Sequence, residues 1–334
     1  MTINMKLIVV NFHYIRESFT APYPSIFGRT PSEFRKQLEL LSTLGKFISQ
    51  EDIKDHFLLG KQLPSKSFLI TFDDGLKEQY ELALPILTEM GIPAIFFINT
   101  LPLAKPKILT VHKTHIIRSQ RSSQKLMNYF KHRLKSENQI ISENRLTEGA
   151  AITYRYDNKE DREVKYLLNF VLNFKQQEKY TNHIFNDIFP EQETQIHHQL
   201  YMNAEQIKIL GQKGLIGCHG HRHRPLGNLS PGKQKDEILD SKILLENLIG
   251  KTIYTFSYPY GTQEAIKSVH HTLKDYDFLL AFTMERGINS DYSSPYLLSR
   301  FDTNDVPGGK LYLGNPQLIF DILPTKEWSL MVEE

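Results

Sequence analysis

Short runs of apolar, largely β-branched residues alternate along this chain with segments of helical periodicity, and several of these runs stop at histidine or aspartate. That alternation is the strongest constraint on the fold, because strand, helix, strand in succession argues for parallel pairing through right-handed crossovers. Lys6 to Phe12 suits a buried first strand and ends at His13. After a loop with Pro22, Pro24 and Gly28 comes a helix. Thr30 caps it, Pro31 fits its first position, Glu33 completes a capping box, Phe34, Leu38 and Leu41 form the apolar face, and Gly45 stops it. Ser67 to Phe72 predicts a second buried strand that runs into Asp73, Asp74 and Gly75. A helix over Tyr80 to Met90 and a strand over Ile92 to Ile98 follow.

From about Leu101 to Leu200 the rhythm lapses into a segment rich in Lys, Gln, Asn and Glu. Val164, Leu167, Leu168, Val171, Leu172 and Phe174 recur there at helical spacing, which predicts a folded helical insertion. Alternation then resumes: a helix after Asn203, a strand over Leu215 to Cys218, and a helix after Ser230 and Pro231. A strand over Thr252 to Ser257, a helix over Gln263 to Lys274 and a strand over Phe278 to Thr283 complete it. The expected organisation is one α/β domain over residues 1–334 with an insertion at about 101–200.

Composition narrows the classes of partner. Lys and Arg total 40 against 38 Asp and Glu, a net charge of +2, so no strongly basic surface is available for nucleic-acid phosphates. The single cysteine, Cys218, excludes an intramolecular disulfide, and its place on an apolar strand suits a small hydrophobe better than a nucleophile. No run approaches the ~20 apolar residues of a membrane-spanning helix. The N-terminal residues lack the long apolar stretch and cleavage site of a signal peptide, so the expected compartment is the cytoplasm.

Loops at the carboxyl ends of parallel strands hold the site in such folds. The polar residues gathered there are His13, Asp73 and Asp74, then His219, Gly220, His221, Arg222 and His223, then Tyr258, Pro259, Tyr260 and Gly261. Two adjacent carboxylates after a buried strand are costly unless something positive neutralises them, and a divalent metal would do so. Carboxylate with imidazole suits zinc and its first-row neighbours, with Co2+, Ni2+, Fe2+ and Mn2+ as alternatives to Zn2+. Side chains alternate along a strand, so Asp73 and Asp74 can divide the labour, one binding metal and the other taking a proton from water. An isolated Asp-Asp-Gly also makes an ordinary turn and helix cap. Among the histidines, a His-x-His pair and the pair His219 and His223 are both geometrically reasonable.

These residues resemble a known family. Thr71-Phe72-Asp73-Asp74-Gly75, His219-Gly220-His221-Arg222-His223 and Phe256-Ser257-Tyr258-Pro259-Tyr260-Gly261 look like the first three motifs, in order, of the polysaccharide deacetylases. These are the NodB-homology or carbohydrate esterase family 4 enzymes, and the branch resembled reads F-[SA]-Y-P-Y-G in the third motif. The resemblance implies a distorted (β/α) barrel of about seven strands, a divalent metal, and hydrolysis of an N-acyl group on an amino sugar. By position, Asp73 looks like the catalytic base, and Asp74, His219 and His223 look like the metal ligands. His221 falls at a variable position. The Tyr260 backbone N–H looks like the donor to the oxyanion.

Two departures stand out. The family often has Arg two residues before the motif proline, where this chain has Ser257; Arg300, in LLSRFDTND, is the candidate guanidinium in its place. The family's late Leu-x-x-His is missing, since no histidine follows His271. His13 is then the candidate general acid, and Asp302 a candidate to orient an imidazole. His112 and His115 open the insertion, where they read as polar residues at the start of a helix. The expected substrate is an N-acetylated or N-formylated amino sugar: a nucleotide-linked or lipid-linked precursor of a surface polysaccharide, or an oligosaccharide. The alternatives are a hydrolase of a small non-sugar amide or cyclic imide, and a sugar-binding protein without catalysis on the same fold.

Overall fold

The computed structural model describes residues 5–22, 26–139, 142–153, 158–267, 269–291 and 293–323. Eight strands occur among them: β1 (Lys6–Phe12), β2 (Lys46–Phe47), β3 (Lys66–Phe72), β4 (Ala94–Ile98), β5 (Ile216–Cys218), β6 (Thr255–Ser257), β7 (Leu280–Phe282) and β8 (Phe301–Asp302). Seven of them form a curled parallel sheet in the order β7, β6, β5, β4, β3, β1, β8, and β2 pairs off this path with β3. The expected parallel α/β architecture is therefore the observed one.

Register places the strand ends on one edge. β1 lies against β3 from Lys6 opposite Lys66 to Phe12 opposite Phe72, so His13 and Asp73 follow at the same level. Ile98 pairs with Cys218, Cys218 with Phe256, and Ser257 with Phe282. Asn99, His219, Tyr258 and Thr283 thus emerge beside one another on that edge.

The helix Pro31–Ser42 begins with the predicted capping box, Thr30 and Glu33 each bonding the other's backbone N–H. Its Phe34, Leu38 and Leu41 are fully buried. The ring of Phe34 stands edge-on to Phe12 at 5.0 Å, and Phe72 stacks on Phe96 at 4.8 Å between centroids. Burying a phenyl side chain contributes about 1.5–3 kcal/mol, so this aromatic layer anchors β1, β3 and β4 beneath the edge where the polar residues emerge.

Local differences from the sequence reading have physical causes. The helix over residues 80–90 is two pieces, a π-helical turn over Gln79–Ala83 and an α-helix over Leu84–Met90. Pro85 lacks an N–H and sits in the first turn of the second piece, where no donor is required. β4 starts at Ala94 because Pro93 cannot join the ladder. Residues 263–274 also split, into Gln263–Ile266 and Val269–Leu273, with Lys267 between them at φ +44°. β2, β8 and the helix Gln50–Leu59 were not predicted; the two strands have only two residues each and carry no periodicity.

Two compact units share the chain. One comprises residues 1–17, 28–106 and 197–334 and contains the whole sheet. The other comprises 18–27 and 107–196, and its regular elements among the described residues are helices. Within it Val164, Leu167 and Leu168 are buried, and Lys113 bonds Glu193 at 2.8 Å and Asn182 at 2.7 Å. No helix among the described residues is long and apolar enough to cross a membrane.

Candidate active site

All three sequence motifs converge on the carboxyl edge of the sheet, and the backbone there is bent hard. Asp74 (φ +80°), His223 (φ +55°) and Tyr260 (φ +63°) each adopt a left-handed conformation that side chains with a Cβ rarely take. Such strain concentrates at functional sites, where surrounding structure holds it in place. It also corrects one step of the sequence argument. Asp73 and Asp74 face different ways because β3 has already ended at Phe72 and the chain turns left-handed through Asp74 and Gly75, rather than because of strand alternation.

The turn aims Asp74 at two imidazoles. Its Oδ1 lies 3.6 Å from His219 Nε2 and 3.5 Å from His223 Nε2, and all three residues are buried. Donor atoms around a tetrahedral ion with bonds of about 2.0–2.1 Å are separated by roughly 3.3 Å, so these spacings fit a first-row divalent cation. The tautomer fits as well. His219 Nδ1 lies 2.8 Å from the carbonyl of Ser257, which can only accept, so Nδ1 carries the proton and Nε2 presents its lone pair toward Asp74. These three are the potential metal-binding group among the described residues. His221 faces elsewhere, its Nδ1 bonded to Thr100 Oγ1 at 2.8 Å, so the His-x-His alternative is not the one assembled.

Asp73 has a different partner. Arg300, fully buried, grips both its oxygens, Nη1 to Oδ1 at 2.9 Å and Nη2 to Oδ2 at 2.8 Å. Asn11 adds a bond to Oδ2 at 3.1 Å. Burial pushes the Asp73 pKa up, but the Arg300 charge, followed by His219, the Arg300 hydrogen bonds and His13, outweighs it and holds the carboxyl well below the usual carboxylate range. Arg300 is itself fixed from every side: Nε to Thr283 O at 2.7 Å, Nη1 to Asn11 Oδ1 at 3.0 Å, and Nη2 to Ser257 Oγ at 2.8 Å. Ser257, at the position where the family often has Arg, thus accepts a bond from the guanidinium that reaches the same carboxylate from Arg300.

His13 is half-buried just past β1, near enough for its charge to act on Asp73. Its loop is held by Glu78, which accepts from Ile15 N at 3.0 Å and Arg16 Nε at 2.7 Å. Burial pushes the Glu78 carboxyl up to about 7 despite Arg16. The Tyr260 ring meets His223 edge-on at 4.9 Å. Asp302 does not contact an imidazole through its Oδ1, which caps Asn304 N at 2.8 Å. Cys218 is buried in the core and burial pushes its thiol up to about 12, so it holds no thiolate at neutral pH. His112 and His115 belong to the helical unit, where their rings lie 6.1 Å apart.

The sequence reading missed Asn11, Gln79, Asn99 and Glu237, and gave Thr71 no role beyond its place in the first motif. A signal existed for Asn11 and Thr71, which are polar residues inside apolar strands, in VVNF and LITF. Glu237, on the helix Pro231–Ile249, ties the histidine loop through Arg222 N at 2.7 Å, and nothing in its amphipathic context marks it.

The polysaccharide deacetylase family model matches residues 60–123 and 177–278, which include all three motifs but neither His13 nor Arg300. A Bacillus subtilis protein named for that family, YxkH, is 32% identical over 120 residues, 35% of this chain; the match spans less than half, 42%, of that relative. Among solved structures, the Streptococcus pyogenes deacetylase PplD, in complex with acetate, superposes with a TM-score of 0.52 at 16% identity over 90% of this chain and 92% of its own. IcaB from Ammonifex degensii gives 0.53 at 19% identity over 89% and 91%. At these identities the likeness is one of fold. Residues 60–123 and 177–278 are thus similar to the polysaccharide deacetylases, and the fold matches that of NodB-type deacetylases.

Proposed function

We propose that this protein hydrolyses the N-acyl amide, acetyl or formyl, of an amino sugar destined for or contained in a surface polysaccharide. The observation that carries the reading is the pairing of a guanidinium-held carboxylate, Asp73, with the buried Asp74, His219 and His223 beside it. A sugar-binding protein without catalysis has no physical need for such a costly set of charges. The fold neighbour PplD, a deacetylase with acetate bound, agrees with acyl removal.

In this reading Asp74, His219 and His223 hold a divalent ion, with Zn2+ favoured by the two imidazoles and one carboxylate. Bound there, the ion would supply Lewis acidity to the acyl carbonyl and lower the pKa of water. Asp73, kept ionised by Arg300, accepts the proton of the attacking water. The Tyr260 N–H donates to the oxyanion as the carbonyl becomes tetrahedral. His13 protonates the departing amine, which is a poor leaving group until it gains that proton.

The test is a mass-spectrometric screen of N-acyl amino sugars beside ureides and cyclic imides. Loss of roughly 42 or 28 mass units, for acetyl or formyl, supports the proposal, and turnover of the ureides alone would replace it. One divalent ion should co-purify per chain. Asp74→Ala, His219→Ala and His223→Ala should each lower that occupancy, measured by elemental analysis, because each leaves an incomplete shell.

His13→Ala should keep the fold and the metal and lose most turnover on an amide. The loss should be smaller on a phenyl ester, whose phenolate leaves without prior protonation. Equal losses on both would make His13 a positioning group, and wild-type rates would leave it a structural histidine.

A further inference from the structure

Two buried carboxamides outside the motifs are arranged alike. Gln79 Nε2 donates to His13 O at 2.8 Å and to Asp73 O at 2.6 Å, bridging the ends of β1 and β3. Asn99 Nδ2 donates to His219 O and, at 3.4 Å, to Gly220 O, bridging the ends of β4 and β5. Each amide therefore gives its two protons to carbonyls on the elements that present site residues. Reversing either amide would set its oxygen against those carbonyl oxygens, so the orientation is fixed.

Gln79 Oε1 and Asn99 Oδ1 are buried and accept no hydrogen bond from the described residues, although both residues are at least nine-tenths buried. Gln79 also opens the π-helical turn, a distortion that frequently accompanies functional sites. Around Asn99 the contact continues in register: Thr100 N donates to Gly220 O at 3.2 Å, Leu101 N to His221 O at 2.9 Å, and Thr100 Oγ1 meets His221 Nδ1. The segment from Asn99 to Leu101 thus holds the start of the histidine loop, from which His219 and His223 turn toward Asp74.

We infer that Gln79 and Asn99 are positioning residues with separate tasks: Gln79 sets His13 against Asp73, and Asn99 sets the histidine loop against Asp74. The inference rests on the amide-hydrolase reading for Gln79, and on the ligand set alone for Asn99.

Zn2+ affinity, measured by competition with a chromophoric chelator, separates the tasks. Asn99→Leu is expected to weaken Zn2+ binding about 10- to 100-fold, the range for outer groups that orient metal ligands, with the melting temperature of the metal-free protein little changed. If Asn99→Leu does not fold, Asn99→Asp, which keeps the shape and loses the donors, decides in its place. Gln79→Met is expected to bind Zn2+ as the wild type does, while kcat falls at least about tenfold and KM stays within about threefold. Gln79→Glu, of equal size, should show the same split.

Wild-type Zn2+ affinity in the Asn99 variants, or wild-type kcat in both Gln79 variants, overturns the inference. So does a loss in which affinity, kcat and melting temperature fall together for either residue, since that is what a merely structural role gives. A wild-type protein that cleaves no N-acyl sugar defeats the proposed function instead, and the Asn99 result still stands.

Discussion

Replacing Asp73 by Asn is expected to leave Zn2+ uptake by Asp74, His219 and His223 intact while turnover of an N-acyl sugar falls about 10²- to 10⁴-fold, the usual cost of losing a general base. Asparagine keeps the size of the side chain and can accept one bond from Arg300, but it cannot take a proton. The same substitution strips a fully buried guanidinium of its counter-charge. Breaking a buried pair from one side costs about 3–5 kcal/mol, so the variant should also melt earlier. Turnover and stability can be separated with the double variant Asp73→Asn/Arg300→Met, which removes the second charge. Stability should recover in part and turnover should not. Metal loss in Asp73→Asn with normal activity per bound ion would reverse the roles assigned to Asp73 and Asp74.

Arg300→Met is expected to destabilise the protein by about 3–5 kcal/mol near neutral pH, because Asp73 then stays buried without its guanidinium partner. Its pH dependence should be distinctive. In the wild type the Asp73 pKa is depressed, so its contribution is fully present above the unfolded value of about 3.9 and is lost as pH falls through the folded value. Without Arg300, burial, the largest influence on Asp73, is opposed only by the His219 and His13 charges and is expected to raise the carboxyl above its unfolded value. The cost then appears as pH rises through the unfolded value and disappears as the carboxyl protonates. Denaturant unfolding of the metal-free proteins from pH 7 toward pH 4 should therefore show the deficit of Arg300→Met shrinking. A deficit constant across that range would mean that the guanidinium acts through packing alone. Turnover should fall as well, since Asp73 loses both its orientation and its fixed charge.

Periodicity and local chemistry carried much of this protein's organisation. Apolar runs such as Lys6–Phe12 and Lys66–Phe72 can be buried on both faces only as parallel strands, and the Thr30 to Glu33 capping box needs only neighbours in sequence. The three motifs were legible for the same reason, since each lies within one strand end and its loop. The tertiary structure alone decided what depends on separate strands meeting. Arg300 reaches Asp73 across a separation of 227 residues, and Ser257 joins them only because β6 ends near the same edge. The left-handed turns at Asp74, His223 and Tyr260 are likewise invisible in composition, because Asp, His and Tyr do not favour that conformation as glycine does. In sequence Asn99 looks like an ordinary polar residue after a strand, and Gln79 like one at the start of a helix. Their partners are backbone carbonyls just past the ends of β1, β3 and β5, atoms that every residue type provides, so no side-chain pattern announces them.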